Sequence, residues 1–167
     1  MTPPLVIRAM VPEDIEAVVT QERAAFPTVW SPASYLAELA NPAALYLVAT
    51  LEGELVGFIG GCLVGEEVHI LTLAVAASHR RQGYGERLLQ ELLEQAYQRG
   101  ARRATLEVRA GNQAARALYE KYGFIAVAYI GKYYIDTGED AVVMWLHPLP
   151  AHLAPTTAGQ PHYLERS

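Results

Sequence analysis

Residues Glu67 to Ala110 read EVHILTLAVAASHRRQGYGERLLQELLEQAYQRGARRATLEVRA. "EVHILTLAVA" is apolar on both faces, as in a strand covered on two sides. Leu88, Leu89, Leu92, Leu93, Ala96 and Tyr97 then share one helical stripe, and Gly100 is a natural terminator. "RATLEVRA" is another strand. Strand, helix, strand makes a right-handed crossover with parallel strands. Between the first strand and the helix lie Arg80, Arg81, Gln82, Gly83, Tyr84 and Gly85. A helix start carries unsatisfied N–H groups and partial positive charge. Glycine lets a ligand approach the backbone, and arginine adds charge that pairs with phosphate. The stretch reads either as a plain turn or as an anion site, most simply a pyrophosphate cradle. It is not a P-loop, because the Lys and Ser/Thr after the second glycine are missing, and a third glycine for the dinucleotide fingerprint is absent.

Outward from this unit, "LVIRAM" (Leu5 to Met10) is a short apolar strand. Pro12 stands where a helix begins, with helical spacing at Ile15, Val18, Val19 and Ala25, and Pro27 interrupts it. Ser31-Pro32 reads as a cap and first turn opening "ASYLAELA". "ALYLVATL" and "LVGFIGGCLV" are strands joined through Glu52-Gly53, a hairpin turn. Asn112 caps "QAARALYEKY", which ends at Gly123. "FIAVAYIGKYYI" and "AVVMWL" flank "DTGED" as two further strands. Pro150 to Ser167 reads as a tail outside the core, leaving 1–149 as one domain.

The 167 residues are 51% hydrophobic and 19% charged, which suits one folded domain. A net charge of -5 argues against general affinity for nucleic acid or anionic membrane. Cys62 is the only cysteine, so no internal disulfide forms, and its apolar setting suggests a buried thiol. No apolar run reaches the ~18 residues of a membrane span, and "MTPPLVIRAM" lacks signal-peptide character. A cytoplasmic location is expected. The five histidines show no metal-ligand spacing, so no metal is expected.

From Arg80 to Gly85 the chain resembles the GNAT superfamily of N-acetyltransferases, whose acetyl-CoA loop reads Arg/Gln-x-x-Gly-x-Gly/Ala. The likeness spans Leu5 to Leu149. "LEVRAGNQAARALYEKYGF" (Leu106 to Phe124) and "KYYIDTGEDAVVMWL" (Lys132 to Leu146) look like the RimI group, which acetylates protein N-termini, notably the terminal alanine of a ribosomal protein. "FPTVWSPASY" is similar to that group's Phe-Pro-Trp-Ser stretch, with Thr28-Val29 inserted. The resemblance implies a mixed α/β fold whose largely antiparallel sheet splays between two parallel strands, flanked by about four helices. It further implies direct acetyl transfer from acetyl-CoA to an amine, by a monomer or weak dimer. Leu73, Ala74 and Val75 would offer backbone groups to pantetheine. Arg81, Gln82, Gly83, Tyr84, Gly85 and Glu86 would hold the pyrophosphate, and Asn112 would touch the coenzyme. Glu107 would be the general base and Tyr119 the general acid. Trp30, Tyr133, Tyr134, Glu139 and Asp140 would border a peptide or protein N-terminus.

Each residue also has a structural reading. Glu107 interrupts an apolar strand and must be exposed, paired (with Arg109 or another neighbour) or functional. Tyr119 shares a stripe with Ala115, Leu118 and Tyr122 and reads by spacing as a packed aromatic. Asn112 is a good cap in any case. Tyr133 and Tyr134 suit strand packing, and His69 reads as an ordinary strand residue. Two rival functions remain at this level: acetylation of a lysine side chain or small amine, and a non-catalytic acyl-CoA-binding module.

Overall fold

A computed structural model of the chain describes residues 3–25, 30–134 and 136–155. Thr28-Val29 and residues 156–167 of the expected tail lie outside the described residues. In chain order the elements are β1 (Leu5–Ala9), α1 (Ile15–Ala25), α2 (Pro32–Leu39), β2 (Ala44–Leu51), β3 (Glu54–Val64) and β4 (Glu67–Val75). They continue with α3 (Tyr84–Gln98), β5 (Arg103–Arg109), α4 (Gln113–Lys121), β6 (Ile125–Tyr134) and β7 (Glu139–Leu146).

The strands form one seven-stranded sheet in the order β1-β2-β3-β4-β5-β7-β6. Every neighbouring pair is antiparallel except β4 and β5. Their parallel pairing runs from Glu67↔Arg103 to Ile70↔Leu106 and stops there, although β4 continues to Val75 and β5 to Arg109. Beyond Ile70 and Leu106 the strands part, and this opening forms the cleft.

Both sheet faces are buried, which is why the central strands read as continuous apolar runs. Along β2, Leu45, Leu47 and Ala49 enter one cluster, with α3 and α4; Tyr46 and Val48 enter the other, with α1 and α2. That is the two-residue period of a strand expressed twice. From α3, Leu88, Leu89, Leu92 and Leu93 are each at most 1% exposed. Burial of each contributes roughly 1.5–3 kcal/mol by area. Leu149 and Leu153 also join the larger cluster, so the core continues past Pro150.

Local chemistry sets the ends of these elements. Glu52 and Gly53 both have positive φ, 51° and 81°, as a tight hairpin turn demands. Ser31 caps α2 by accepting from the Ser34 N–H. A single 3₁₀ turn, Pro12–Asp14, precedes α1, held by a two-pronged Arg8–Asp14 pair at 2.7 and 2.8 Å. Cys62 is half-buried rather than enclosed.

Candidate active site

Where β4 and β5 part, a cavity of about 590 Å³ opens. Its walls come from the second half of β4 (Leu71, Thr72, Leu73), from β5 (Glu107, Val108, Arg109), and from α4 (Ala115, Tyr119). The α1–α2 side adds Glu22, Trp30 and Tyr35, and the β6–β7 hairpin adds Tyr133, Tyr134 and Asp136.

Glu107 stands at the splay point. Both of its carboxylate oxygens lie 2.9 Å from His69 Nε2, and Oε1 also accepts from the Tyr133 hydroxyl at 3.3 Å. The partner is therefore His69, on the adjacent parallel strand, and not Arg109. Hydrogen bonding to His69 holds the Glu107 carboxyl below the usual carboxylate range, against a desolvation effect that raises it. The same bond raises His69. Glu107 lines the cavity and His69 does not, so His69 stands behind the carboxylate.

Tyr119 is 6% exposed, packed 5.5 Å from the Phe124 ring, and still lines the cavity. Desolvation pushes its phenol well above the ordinary value of 10.0, so it keeps its proton across the working range. It is a packed aromatic that also lines the cavity.

Arg109 donates to Asp136 at 3.0 Å and to Glu139 at 3.4 Å, and lies 4.0 Å over the Tyr134 ring. Tyr133 and Tyr134 meet edge to face at 5.0 Å. Glu139 and Asp140 are not among the cavity-lining residues. The Glu139 carboxylate accepts from Arg109 and Thr137, while Asp140 Oδ1 accepts from the Lys132 N–H at 3.0 Å. Both carboxylates thus shape the hairpin.

The glycine loop lies beyond the end of β4. Gly83 is the N-cap of α3 with φ 81°, Arg81 has φ 65°, and no side chain caps the helix. The first N–H groups of α3 are left for a ligand or solvent. Arg81 and Gln82 are exposed, whereas the Tyr84 ring is buried, so Tyr84 offers only its backbone to the loop. Glu86 accepts from Lys121 at 2.7 Å and from the Tyr122 hydroxyl at 2.6 Å, which directs its carboxylate to α4. Those bonds hold Glu86 below its usual range, and burial together with Glu86 pushes Tyr122 up to about 12. Asn112 caps α4 through the Ala115 N–H at 3.1 Å and also lines the cavity. Leu73 lines the cavity too, while Ala74 is buried in the α1–α2 cluster and Val75 packs against the other. Among the described residues no group of three metal-ligating side chains occurs, and no helix is long and apolar enough to cross a membrane.

The acetyltransferase (GNAT) family model matches residues 15–124, spanning the splayed strands, the glycine loop and α4. The chain belongs to this family. It is an acetyl-CoA-dependent N-acetyltransferase. This acetyltransferase is 38% identical over 141 residues to the putative [ribosomal protein bS18]-alanine N-acetyltransferase of Bacillus subtilis, covering 84% of this chain and 93% of that one. It is 36% identical over 149 residues to the N-alpha-acetyltransferase RimI of Mycobacterium tuberculosis, covering 86% and 92%. The crystal structure of the Escherichia coli ribosomal-protein-S18-alanine N-acetyltransferase superposes with a TM-score of 0.80 at 30% identity, covering 94% of this chain and 99% of that one.

Three residues of this acetyltransferase's site escape the sequence reading. His69 is legible only once β4 is known to lie beside β5. Asp136 sits in a turn whose only local signal is its acidity. Glu22 had a signal: it completes the stripe Ile15, Val18, Val19, Glu22, a carboxylate where an apolar residue belongs.

Proposed function

We propose that the enzyme acetylates the N-terminal α-amine of a protein, of the ribosomal-protein alanine kind, in the cytoplasm. The observation that carries this reading is the Tyr133 hydroxyl, which donates to Glu107 and so closes the β6–β7 hairpin onto the Glu107 wall of the cavity. A chain end fits beneath such a closure, and its amine arrives close to its own backbone. A lysine within a chain would need an open trough.

The residues suit acetyl-CoA. The parted strands leave the second half of β4 facing a cavity, and an added Cβ at Gly83 would meet nothing within 4 Å, so the loop is open to an approaching ligand. The backbone from Gln82 to Glu86 would hold the pyrophosphate, aided by the Arg81 charge. Leu73, Ala74 and Val75 would give backbone groups to pantetheine, and Asn112 would border it. When bound, the coenzyme supplies an activated thioester carbonyl.

Glu107 takes the proton from the attacking amine. An α-amine has a pKa near ~8 and is mostly protonated at neutral pH, so its proton has to leave before the nitrogen lone pair can attack the thioester. His69 holds the carboxylate from behind through its Nε2. Tyr119 donates its phenolic proton to the departing thiolate. Trp30, Tyr133 and Tyr134 form walls around the first peptide groups. Glu139 and Asp140 place negative charge on the hairpin, suited to basic residues downstream.

Mass spectrometry of one alanine-starting, lysine-containing peptide tests the acceptor. Modification at the terminus, abolished by blocking it, is expected. Modification mainly at lysine, persisting after the block, would overturn the acceptor reading and leave the acetyltransferase chemistry intact.

A further inference from the structure

Among the described residues the mechanism leaves one buried carboxylate in the cavity wall unused. Glu22, on the last turns of α1, is only 6% exposed and lines the cavity opposite β5. Its Oε1 accepts from the Tyr35 hydroxyl at 2.9 Å and from the Trp30 N–H at 3.3 Å. Tyr35 is 1% exposed, and its ring meets Trp30 at 5.4 Å, so the carboxylate is built into this wall.

Both bonds need only an acceptor oxygen. Glutamine would provide one at the same place without a charge to desolvate. Among the described residues no cationic side chain pairs with Glu22. The other charged groups of the cavity are balanced: Glu107 by His69, and Asp136 by Arg109. Glu22 is therefore the cavity carboxylate without a cationic side-chain partner among the described residues. The cavity has to receive an amine that arrives mostly as an ammonium.

We propose that Glu22 is a specificity-determining residue of the acceptor pocket, whose carboxylate selects the cationic amine and holds it between the Trp30–Tyr35 wall and Glu107. Its hydrogen bonds aim it, and its charge distinguishes an ammonium from a neutral group of the same shape. Burial raises its pKa, in keeping with a carboxylate that lacks a cation until the acceptor enters. The inference rests on the amine-acetyltransferase reading and names the group that recognises the acceptor.

The test compares wild type with Glu22→Gln on an alanine-starting peptide. A matching peptide with hydroxyl in place of the terminal amine serves as competitive inhibitor. The variant should raise the KM of the amine peptide on the order of ten- to a hundredfold, the size of one charge pair at intermediate dielectric. Inhibition by the hydroxyl peptide and the calorimetric affinity for acetyl-CoA should not change. Unchanged KM would overturn the proposal, as would equal weakening of both peptides, which would mean a wall displaced rather than a charge removed. A fall in kcat alone would assign Glu22 to proton transfer and also overturn it. Tyr35→Phe keeps the charge and loses one bond, so it should keep the amine preference. Its loss would credit the network instead. If wild type modifies only lysine, the acceptor reading fails, and the same comparison, run with a lysine peptide and its neutral counterpart, still decides the role of Glu22.

Discussion

Glu107 carries a proton-transfer role and a charge-pairing role on one carboxylate, and the two separate by pH. For catalysis, Glu107→Gln should keep acetyl-CoA affinity and lose on the order of 10²–10⁴-fold in kcat, the usual worth of a general base. The loss should shrink at high pH, where the amine is already neutral; a loss constant with pH would remove Glu107 from proton transfer. For stability, Glu107 is lowered from 4.5, so its share is present above that value and is lost as pH falls through the depressed one. His69 is raised from 6.5, so its share is full below that value and is lost as pH rises through the raised one. The melting-temperature gap between wild type and Glu107→Gln should therefore be widest between about pH 4.5 and 6.5 and narrow as pH rises through the raised His69 value. A gap that widens above pH 7 contradicts the pair. Tyr119→Phe keeps the ring against Phe124 and removes the donor, so kcat should fall about 10²-fold. A changed melting temperature with unchanged kcat would make Tyr119 a packing residue only. Glu107 stood out in the sequence because a carboxylate between Leu106 and Val108 must be exposed, paired or functional. His69 was not, since its meaning comes from a residue far along the chain on the neighbouring strand.

At the scale of elements, α3 joins the glycine loop to the core, and Glu86 ties it to α4 through Lys121 and Tyr122. The two glycines at its mouth do different things. Gly83 has positive φ, so Gly83→Val strains the backbone as well as blocking the loop. Gly85 has no such φ, and a Cβ there would lie 3.7 Å from Val75, an ordinary contact. Gly85→Ala should therefore leave the apo protein as stable or up to about 1 kcal/mol more stable. Acetyl-CoA affinity should hold in Gly85→Ala, because the added methyl packs towards Val75 and Leu118 and the family loop takes alanine at this position, whereas Gly83→Val should lower it. Calorimetry beside thermal melting checks this, and undiminished affinity in a folded Gly83→Val variant would move the pyrophosphate elsewhere. The strands, helices and caps were legible because apolar period, proline, glycine and Ser/Asn caps are local signals. The irregularity in β6 was not: the register shifts between Ile130 and Tyr134, with Lys132 at φ 52° pinned by Asp140 from the opposite strand. A bulge of that kind is set by its partner strand.

At the scale of the molecule, one sheet separates two apolar clusters and is open at a single parallel seam. Filling that seam should stabilise the whole domain. At a hundredfold excess over Kd, acetyl-CoA should add about 2.7 kcal/mol, shared by Glu107→Gln but reduced in Gly83→Val. A Glu107→Gln variant without this gain would mean that the carboxylate shapes the coenzyme site. Packing across the sheet is tight where β2 faces β3. A Cβ at Gly60 would fall 2.1 Å from the buried Tyr46 ring, so Gly60→Ala should cost about 1–3 kcal/mol in denaturant unfolding. The strand–helix–strand unit made the parallel seam legible, but where it opens was not. That point depends on how β5 leaves β4 to pair with β7 along its full length, from Ala104↔Leu146 to Arg109↔Ala141.

The bulge in β6 has a consequence for solubility. β6 is the outer edge of the sheet, and nearly all its residues are exposed, including Val127, Tyr129 and Ile130. A long, flat, apolar edge is a template on which a second molecule can add a strand and start aggregation. Here the register of β6 against β7 shifts twice, between Ala126 and Ala128 and between Ile130 and Tyr134, and Lys132 takes a positive φ. What remains is a short stretch that offers an incoming strand few hydrogen bonds, so the fold keeps its open edge without becoming a seed for β-stacking.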